Sequence, residues 1–382
     1  MEHNPYIPEE SAAGQYVIVE LSTDYTTTGY GGSGTGDGFG GDHDREMGSS
    51  GDFNENERPE EDFSENNNEQ PSGRGGFSET PSNQLTVTLT QQGEITSTEG
   101  AALAISEGEI TTEYSENVNL LVEDFEQYVF TASDGVELMY NLYLPENYEA
   151  GESYPMIIFM PDATGEGNDE YKTLTESLGA VIWTTDESQL NNECIVLAPQ
   201  YVDNNGDDPT YTMELINDVS DNYKVDTSRL YLVGQSSGTI RSIKLMIDYP
   251  ETFAAAMLVA GQADEEYVDK LQELSNQNIW MICSAGDERA YPGMTAIAEA
   301  VETCGTDVTI EQWSADLSDE EQEALALQMA SYGTSINWTV FDAGTVMEDD
   351  VEATAATEHM NTWRVAYDLD TIREWLFSNA LD

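Results

Sequence analysis

The sequence predicts an α/β protein whose main domain is three layers deep, with helices on both faces of a mostly parallel sheet. Three observations predict it. Continuous apolar runs recur through the second half of the chain: Met156-Ile-Ile-Phe-Met160, Cys194-Ile-Val-Leu-Ala198, Leu230-Tyr-Leu-Val233, Ala254-Ala-Ala-Met-Leu-Val259 and Ile279-Trp-Met-Ile-Cys283. Unbroken rather than alternating apolarity marks strands covered on both faces. Helical patterns at about 213–223, 237–248, 293–303, 319–331 and 369–380 alternate with those runs. Between the third run and the second helix stands Gly234-Gln-Ser-Ser-Gly238, a Gly-x-Ser-x-Gly pentapeptide in a strand-to-helix setting.

Taken in order, residues 1–23 hold one strand candidate, Tyr16-Val-Ile-Val-Glu-Leu21. Residues 24–82 are rich in Gly, Ser, Asn, Asp and Glu, and ordering them costs roughly 1–2 kcal/mol each with little apolar area to bury, so disorder is expected there. His43 between Asp42 and Asp44 lacks a second fixed ligand and reads as no metal site. Residues 83–124 read as a small β element, from the alternation of Leu85, Val87, Leu89 and of Val118, Leu120, Val122. Ser133-Asp134-Gly135 turns a hairpin between Tyr128-Val-Phe130 and Leu138, Tyr140, Leu142 and Leu144, and the main domain is assigned to residues 125–382. Val308–Trp313 and Trp338–Phe341 extend the sheet, and Ser318-Asp-Glu-Glu321 opens the fourth helix with a capping-box pattern.

Composition narrows the partners. The 382 residues carry 75 acidic and 12 basic side chains, a net charge of −63. Such a chain repels nucleic acid and anionic membranes. The acidity extends through the predicted domain, where the only four lysines are Lys172, Lys224, Lys244 and Lys270. A self-repelling surface of this kind suits high salt or an ion-rich exterior. Cys194, Cys283 and Cys304 make no disulfide framework. No run reaches transmembrane length, and Met-Glu-His-Asn-Pro-Tyr-Ile-Pro has neither basic n-region nor apolar h-region. The expectation is an extracellular or cell-surface protein whose signal lies outside this sequence, or alternatively a cytoplasmic protein of a halophile, with no membrane insertion.

The pentapeptide makes Ser236 the candidate nucleophile, since Gly234 and Gly238 permit the tight backbone turn that projects it. A serine hydroxyl needs a base, and histidine is the commonest. Only His3, His43 and His359 exist. The first two fall outside the domain, which leaves His359, placed after the last strand and just before the last helix. A carboxylate must orient the imidazole, and Asp287, in the loop after Ile279–Cys283, fits that place, with Glu288 as its neighbouring rival. The oxyanion donors are expected to be the Ser237 N–H and one N–H in Pro161-Asp-Ala-Thr-Gly165. Pro161 has none to give. Asp162, Ala163 and Thr164 remain, of which Ala163 is favoured by position. Asp203-Asn-Asn-Gly-Asp-Asp208 with Glu214 has calcium-like oxygen spacing, but Asp208 stands where an EF-hand needs glycine, so the loop reads as a polar turn.

Several segments in one order resemble α/β-hydrolases of the secreted polyhydroxybutyrate-depolymerase-like and prolyl-oligopeptidase-like esterase type. These are Tyr154-Pro-Met-Ile-Ile-Phe, Val196-Leu-Ala-Pro-Gln-Tyr201, Val225-Asp-Thr-Ser-Arg-Leu-Tyr231, Gly234-Gln-Ser-Ser-Gly238, Tyr249-Pro-Glu-Thr-Phe-Ala254, Leu258-Val-Ala-Gly-Gln262, Gly286-Asp287 with Ala290-Tyr-Pro-Gly-Met294, and His359-Met-Asn-Thr-Trp-Arg364. The resemblance covers about residues 125–382. It implies a carboxylic-ester hydrolase with Ser236 as nucleophile, Asp287 as acid and His359 as base, needing no cofactor or metal and acting on a small-molecule or polymer-linked ester. Pro161-Asp162 replaces the His-Gly pair common in the family, and Ser237 and Thr239 replace its Met and Gly. The alternating segments at 16–21 and 83–124 resemble a reduced form of the immunoglobulin-like module that precedes some relatives. The alternatives are a serine peptidase of the same fold and a non-catalytic surface or binding protein that retains it.

Overall fold

In a computed structural model the chain is described for residues 120–381, apart from 147, 149–152, 170, 203–205, 207 and 348–350, and for four two-residue strands upstream. Those strands are β1 (Thr88–Leu89), β2 (Ile95–Thr96), β3 (Ala102–Leu103) and β4 (Ile110–Thr111); β1 pairs antiparallel with β4, and β2 with β3. The chain divides into two units, residues 1–117 and residues 118–382. The expected strand at 16–21 and the tract 24–82 lie outside the described residues.

The second unit is built on nine strands: β5 (Phe125–Thr131), β6 (Glu137–Tyr143), β7 (Tyr154–Met160), β8 (Ile195–Gln200), β9 (Val225–Gln235), β10 (Ala255–Val259), β11 (Ile279–Ser284), β12 (Val308–Trp313) and β13 (Ile336–Phe341). They hydrogen-bond in the order β12-β13-β11-β10-β9-β7-β8-β6-β5. Only the β5–β6 and β6–β8 pairings are antiparallel. The other six are parallel, as the continuous apolar runs require. Every residue of β7, β8, β10, β11 and β13 is buried, whereas β5 alternates outward and β12 is half exposed at the sheet's edge.

The turn Ser133-Asp134-Gly135 closes the predicted hairpin, with Gly135 at φ +94°, a region open to glycine at little cost. Helices Ser237–Asp248 and Asp319–Ser331 start and stop where the sequence predicts them. Helix Pro209–Asn222 begins four residues earlier than expected, because Asp208 caps the N–H of Thr210 and Pro209 fills the first turn. One expectation is corrected: Leu120 and Val122 belong to a helical turn, Leu120–Glu123, not to a strand. His359 lies after the last strand and before the last helix, as expected, inside a helix that the sequence reading did not include, Ala355–Ala366, capped by Thr354. Glu214, weighed as a calcium ligand, accepts hydrogen bonds from the Ser133 N–H and hydroxyl, and Asp203 of that loop lies outside the described residues.

Candidate active site

Parallel strands deliver their following loops to one edge, and in open α/β sheets that C-terminal edge is where sites form. Here β7 leads into Pro161–Gly165, β9 into Ser236, β10 into Ala260–Gln262 and β11 into Asp287. At the end of β9 the backbone turns directly into helix Ser237–Asp248, and Ser236 takes φ 52°, ψ −117°. A non-glycine residue held there is strained, which the flanking packing must over-determine. The packing is close enough to do so. A Cβ on Gly234 would lie 2.6 Å from the Gly238 carbonyl oxygen, and one on Gly238 would overlap the Met160 carbonyl of β7. The Ser236 N–H is held by the Val259 carbonyl at 2.9 Å.

The structure brings Ser236, His359 and Asp287 together across 123 and 72 residues of sequence. Ser236 Oγ is 2.8 Å from His359 Nε2, and His359 Nδ1 is 2.5 Å from Asp287 Oδ2. With the ring proton on Nδ1, the imidazole donates to Asp287 and accepts from the Ser236 hydroxyl. Trp363, one turn along the same helix, meets the imidazole edge-to-face at 5.5 Å and limits its tilt. Asp287 is 2% exposed, and its Oδ1 accepts the Arg289 and Ala290 N–H groups at 2.9 Å each, leaving Oδ2 for the histidine. Burial pushes its carboxyl up, but the His359 hydrogen bond and those backbone donors outweigh that and hold it below the ordinary 3.8. Glu288, the rival carboxylate, is exposed.

Beside the serine, the Ser237 N–H opens the helix and has no protein acceptor among the described residues, and neither has that of Ala163. Thr164 is removed from the candidate donors: its N–H donates to Asp162 Oδ1 at 2.5 Å, and that of Gly165 does so at 3.0 Å. The Pro161 carbonyl accepts from Ser237 Oγ at 3.4 Å and Arg241 Nη1 at 3.3 Å. In a trans peptide the N–H opposes the carbonyl, so the Asp162 N–H points away from the elbow helix. Ala163 is what remains of Asp162, Ala163 and Thr164.

Sequence reasoning passed over the residues that hold these segments. Glu358, beside His359 and 3% exposed, accepts from Ser284 Oγ and from the Gly344 N–H, each at 2.5 Å. It thereby ties the end of β11 to the histidine's helix. Arg241 pairs with Glu166 and lies 4.7 Å from the Tyr201 ring centroid. Among the described residues no group of three or more His, Cys, Asp or Glu side chains could hold a metal ion.

The comparisons with known proteins bear on the family and the fold. Residues 138–317 match the family model described as esterase PHB depolymerase. Acetylxylan esterase A of Aspergillus ficuum is 25% identical over 166 residues, 42% of this chain and 54% of that protein; the Aspergillus awamori enzyme of the same name matches equally. The chain thus spans about half the length of the curated relatives it matches. The crystal structure of a thermostable esterase superimposes with a TM-score of 0.56 at 21% identity, covering 75% of this chain and 70% of that one. By sheet order and elbow the described unit has the α/β-hydrolase fold, and over residues 138–317 it is similar to esterases of the polyhydroxybutyrate-depolymerase type.

Proposed function

We propose that the chain hydrolyses carboxylic esters through an acyl-enzyme intermediate, with Ser236 as nucleophile, His359 as general base and acid, and Asp287 as the group that orients His359. The observation that carries this reading is the hydrogen-bonded series Ser236–His359–Asp287 beside a strained elbow. Ser236 Oγ attacks the ester carbonyl as its proton passes to His359 Nε2. The resulting oxyanion is held by the Ser237 and Ala163 N–H groups, each worth about 3–4 kcal/mol of transition-state stabilisation. The tetrahedral adduct collapses, the C–O bond to the alcohol breaks, and His359 gives its proton to the departing oxygen. Water then enters, loses a proton to His359 and attacks the acyl carbon; a second collapse frees the acid and returns the proton to Ser236.

The His359 side chain keeps 22% of its surface exposed, and Ser236 is only half buried. An ester carried on a large polymer can reach such a site. The names of the relatives direct the first substrates to acetyl groups on xylan-like polysaccharide. We place the protein outside the cell or on its surface, in keeping with a polymeric substrate.

A fluorophosphonate probe, p-nitrophenyl acetate and a peptide anilide test the reading together. Labelling and ester turnover are expected in the wild type, with kcat down about 10⁶-fold in Ser236→Ala or His359→Ala. A folded wild type that cleaves only the anilide makes it a peptidase, and one that neither labels nor turns over overturns the reading.

A further inference from the structure

One buried set of hydrogen bonds joins all three segments of the candidate site, and its centre is a carboxylate with no part in the proton transfers. Asp162 is 3% exposed. Its Oδ1 accepts from the Thr164 N–H and, at 2.6 Å, from the Thr164 hydroxyl, as well as from the Gly165 N–H. Its Oδ2 accepts from Gln235 Nε2 at 2.7 Å. Gln235 immediately precedes Ser236, and its amide cannot turn over. The Asp162 carboxylate can only accept, so the Gln235 NH2 must face it, and Oε1 accepts the Tyr367 hydroxyl at 2.9 Å and the Ser177 hydroxyl at 3.0 Å. Tyr367 caps the C-terminus of the helix that carries His359. The turn bearing Ala163, the elbow bearing Ser236 and the helix bearing His359 are therefore registered to one another through the side chains of Asp162, Gln235 and Tyr367.

We propose that Asp162 is a positioning residue for the ester hydrolysis proposed above: held by Gln235, it folds the turn 161–165 so that the Ala163 N–H, and not that of Thr164, faces the developing oxyanion. Burying a carboxylate is costly unless every acceptor site is answered, and four neutral donors answer this one. A turn needed only for folding requires no carboxylate in the core, whereas an oxyanion donor loses its effect when displaced by about 1 Å. The inference rests on the esterase reading and adds to it the reason for Pro161-Asp162 at this position.

The test uses the full chain with p-nitrophenyl acetate and a trifluoromethyl ketone, whose tetrahedral adduct draws on the oxyanion donors. Asp162→Asn sets an NH2 against the Gln235 NH2, and Gln235→Glu sets carboxylate against carboxylate. Each is expected to lower kcat at least about 10-fold and to weaken ketone binding in parallel, with KM changed by less than about 3-fold. The paired variant Asp162→Asn with Gln235→Glu exchanges donor and acceptor across an unchanged geometry and is expected to regain kcat and ketone affinity to within about 3-fold of wild type. Single variants that keep wild-type kcat overturn the proposal. So does a paired variant that fails to fold or is as slow as the worse single one, and this decides the matter if a single variant does not fold. A wild type without ester turnover instead removes the function on which the inference rests.

Discussion

At Ser236 a strained backbone is held by neighbours that cannot move apart. Gly238 sits against the end of β7, where an added methyl would overlap the Met160 carbonyl and approach the Pro161 carbonyl oxygen at 2.9 Å. Backbone cannot yield as a side-chain tip can, so Gly238→Ala is expected to cost about 3 kcal/mol and to abolish ester turnover, checked by urea unfolding beside kcat. Asp287 makes a separate prediction in pH. Its carboxyl titrates below 3.8 in the folded chain, so on acidification the unfolded state takes up the proton first. The stability it adds is present above the unfolded value and is lost as pH falls through the folded one. Below about pH 4 the urea midpoint of wild type should therefore fall more steeply than that of Asp287→Asn, and equal slopes would count against the assignment. The same variant should lose about 10⁴ in kcat at neutral pH, through the wrong imidazole tautomer. Ser236 and His359 were legible in the sequence because the pentapeptide is local and only one histidine falls within the domain. Asp287 and Glu288 are adjacent, and what separates them is which side chain turns inward. Asp162 and Gln235 were illegible as partners, since a contact across 73 residues leaves no mark in spacing.

Elements followed the sequence where burial is two-sided and departed from it where capping decides. The parallel strands were predictable because a fully covered strand must be apolar along its whole length. Helix Ala355–Ala366 was not, although it carries the histidine. It opens with Thr354 and Thr357 exchanging hydrogen bonds, a capping box without the glutamate or glutamine that usually signals one. Leu120 and Val122 misled for the opposite reason, since two apolar residues separated by one fit a strand and a single helical turn alike. Helix Asp319–Ser331 shows the signal in its ordinary form. Ser318 caps the Glu321 N–H, the Glu321 carboxylate answers the Ser318 N–H, and three acids occupy the first turn. Ser318→Ala is expected to lower stability by about 1 kcal/mol without changing kcat, measurable by denaturant midpoint at constant m-value. A larger loss would mean that the helix is held by its cap more than by its packing on β12 and β13.

For the whole molecule the deciding quantity is charge. With 75 acids against 12 basic groups, most carboxylates have no cation to meet. The described arginines and lysines are largely committed: Arg229 to Asp226, Arg241 to Glu166, Lys244 to Asp264 and Arg373 to Asp370. The remainder repel one another across the surface of the folded unit, and expansion on unfolding relieves that repulsion. Salt weakens it over a distance that shrinks from about 10 Å at 0.1 M to about 3 Å at 1 M. The melting temperature is therefore expected to rise by roughly 5–10 °C between 0.05 and 1 M sodium chloride, the shift that a few kcal/mol produces in a domain of this size. Salt also strengthens apolar burial, and sulfate does so far more than chloride. Screening depends on ionic strength alone, so chloride and sulfate matched in ionic strength should give the same rise if charge repulsion is the cause. A rise seen with sulfate only would assign the effect to exclusion from the surface, and a flat response in both would show that the fold tolerates its charge unaided.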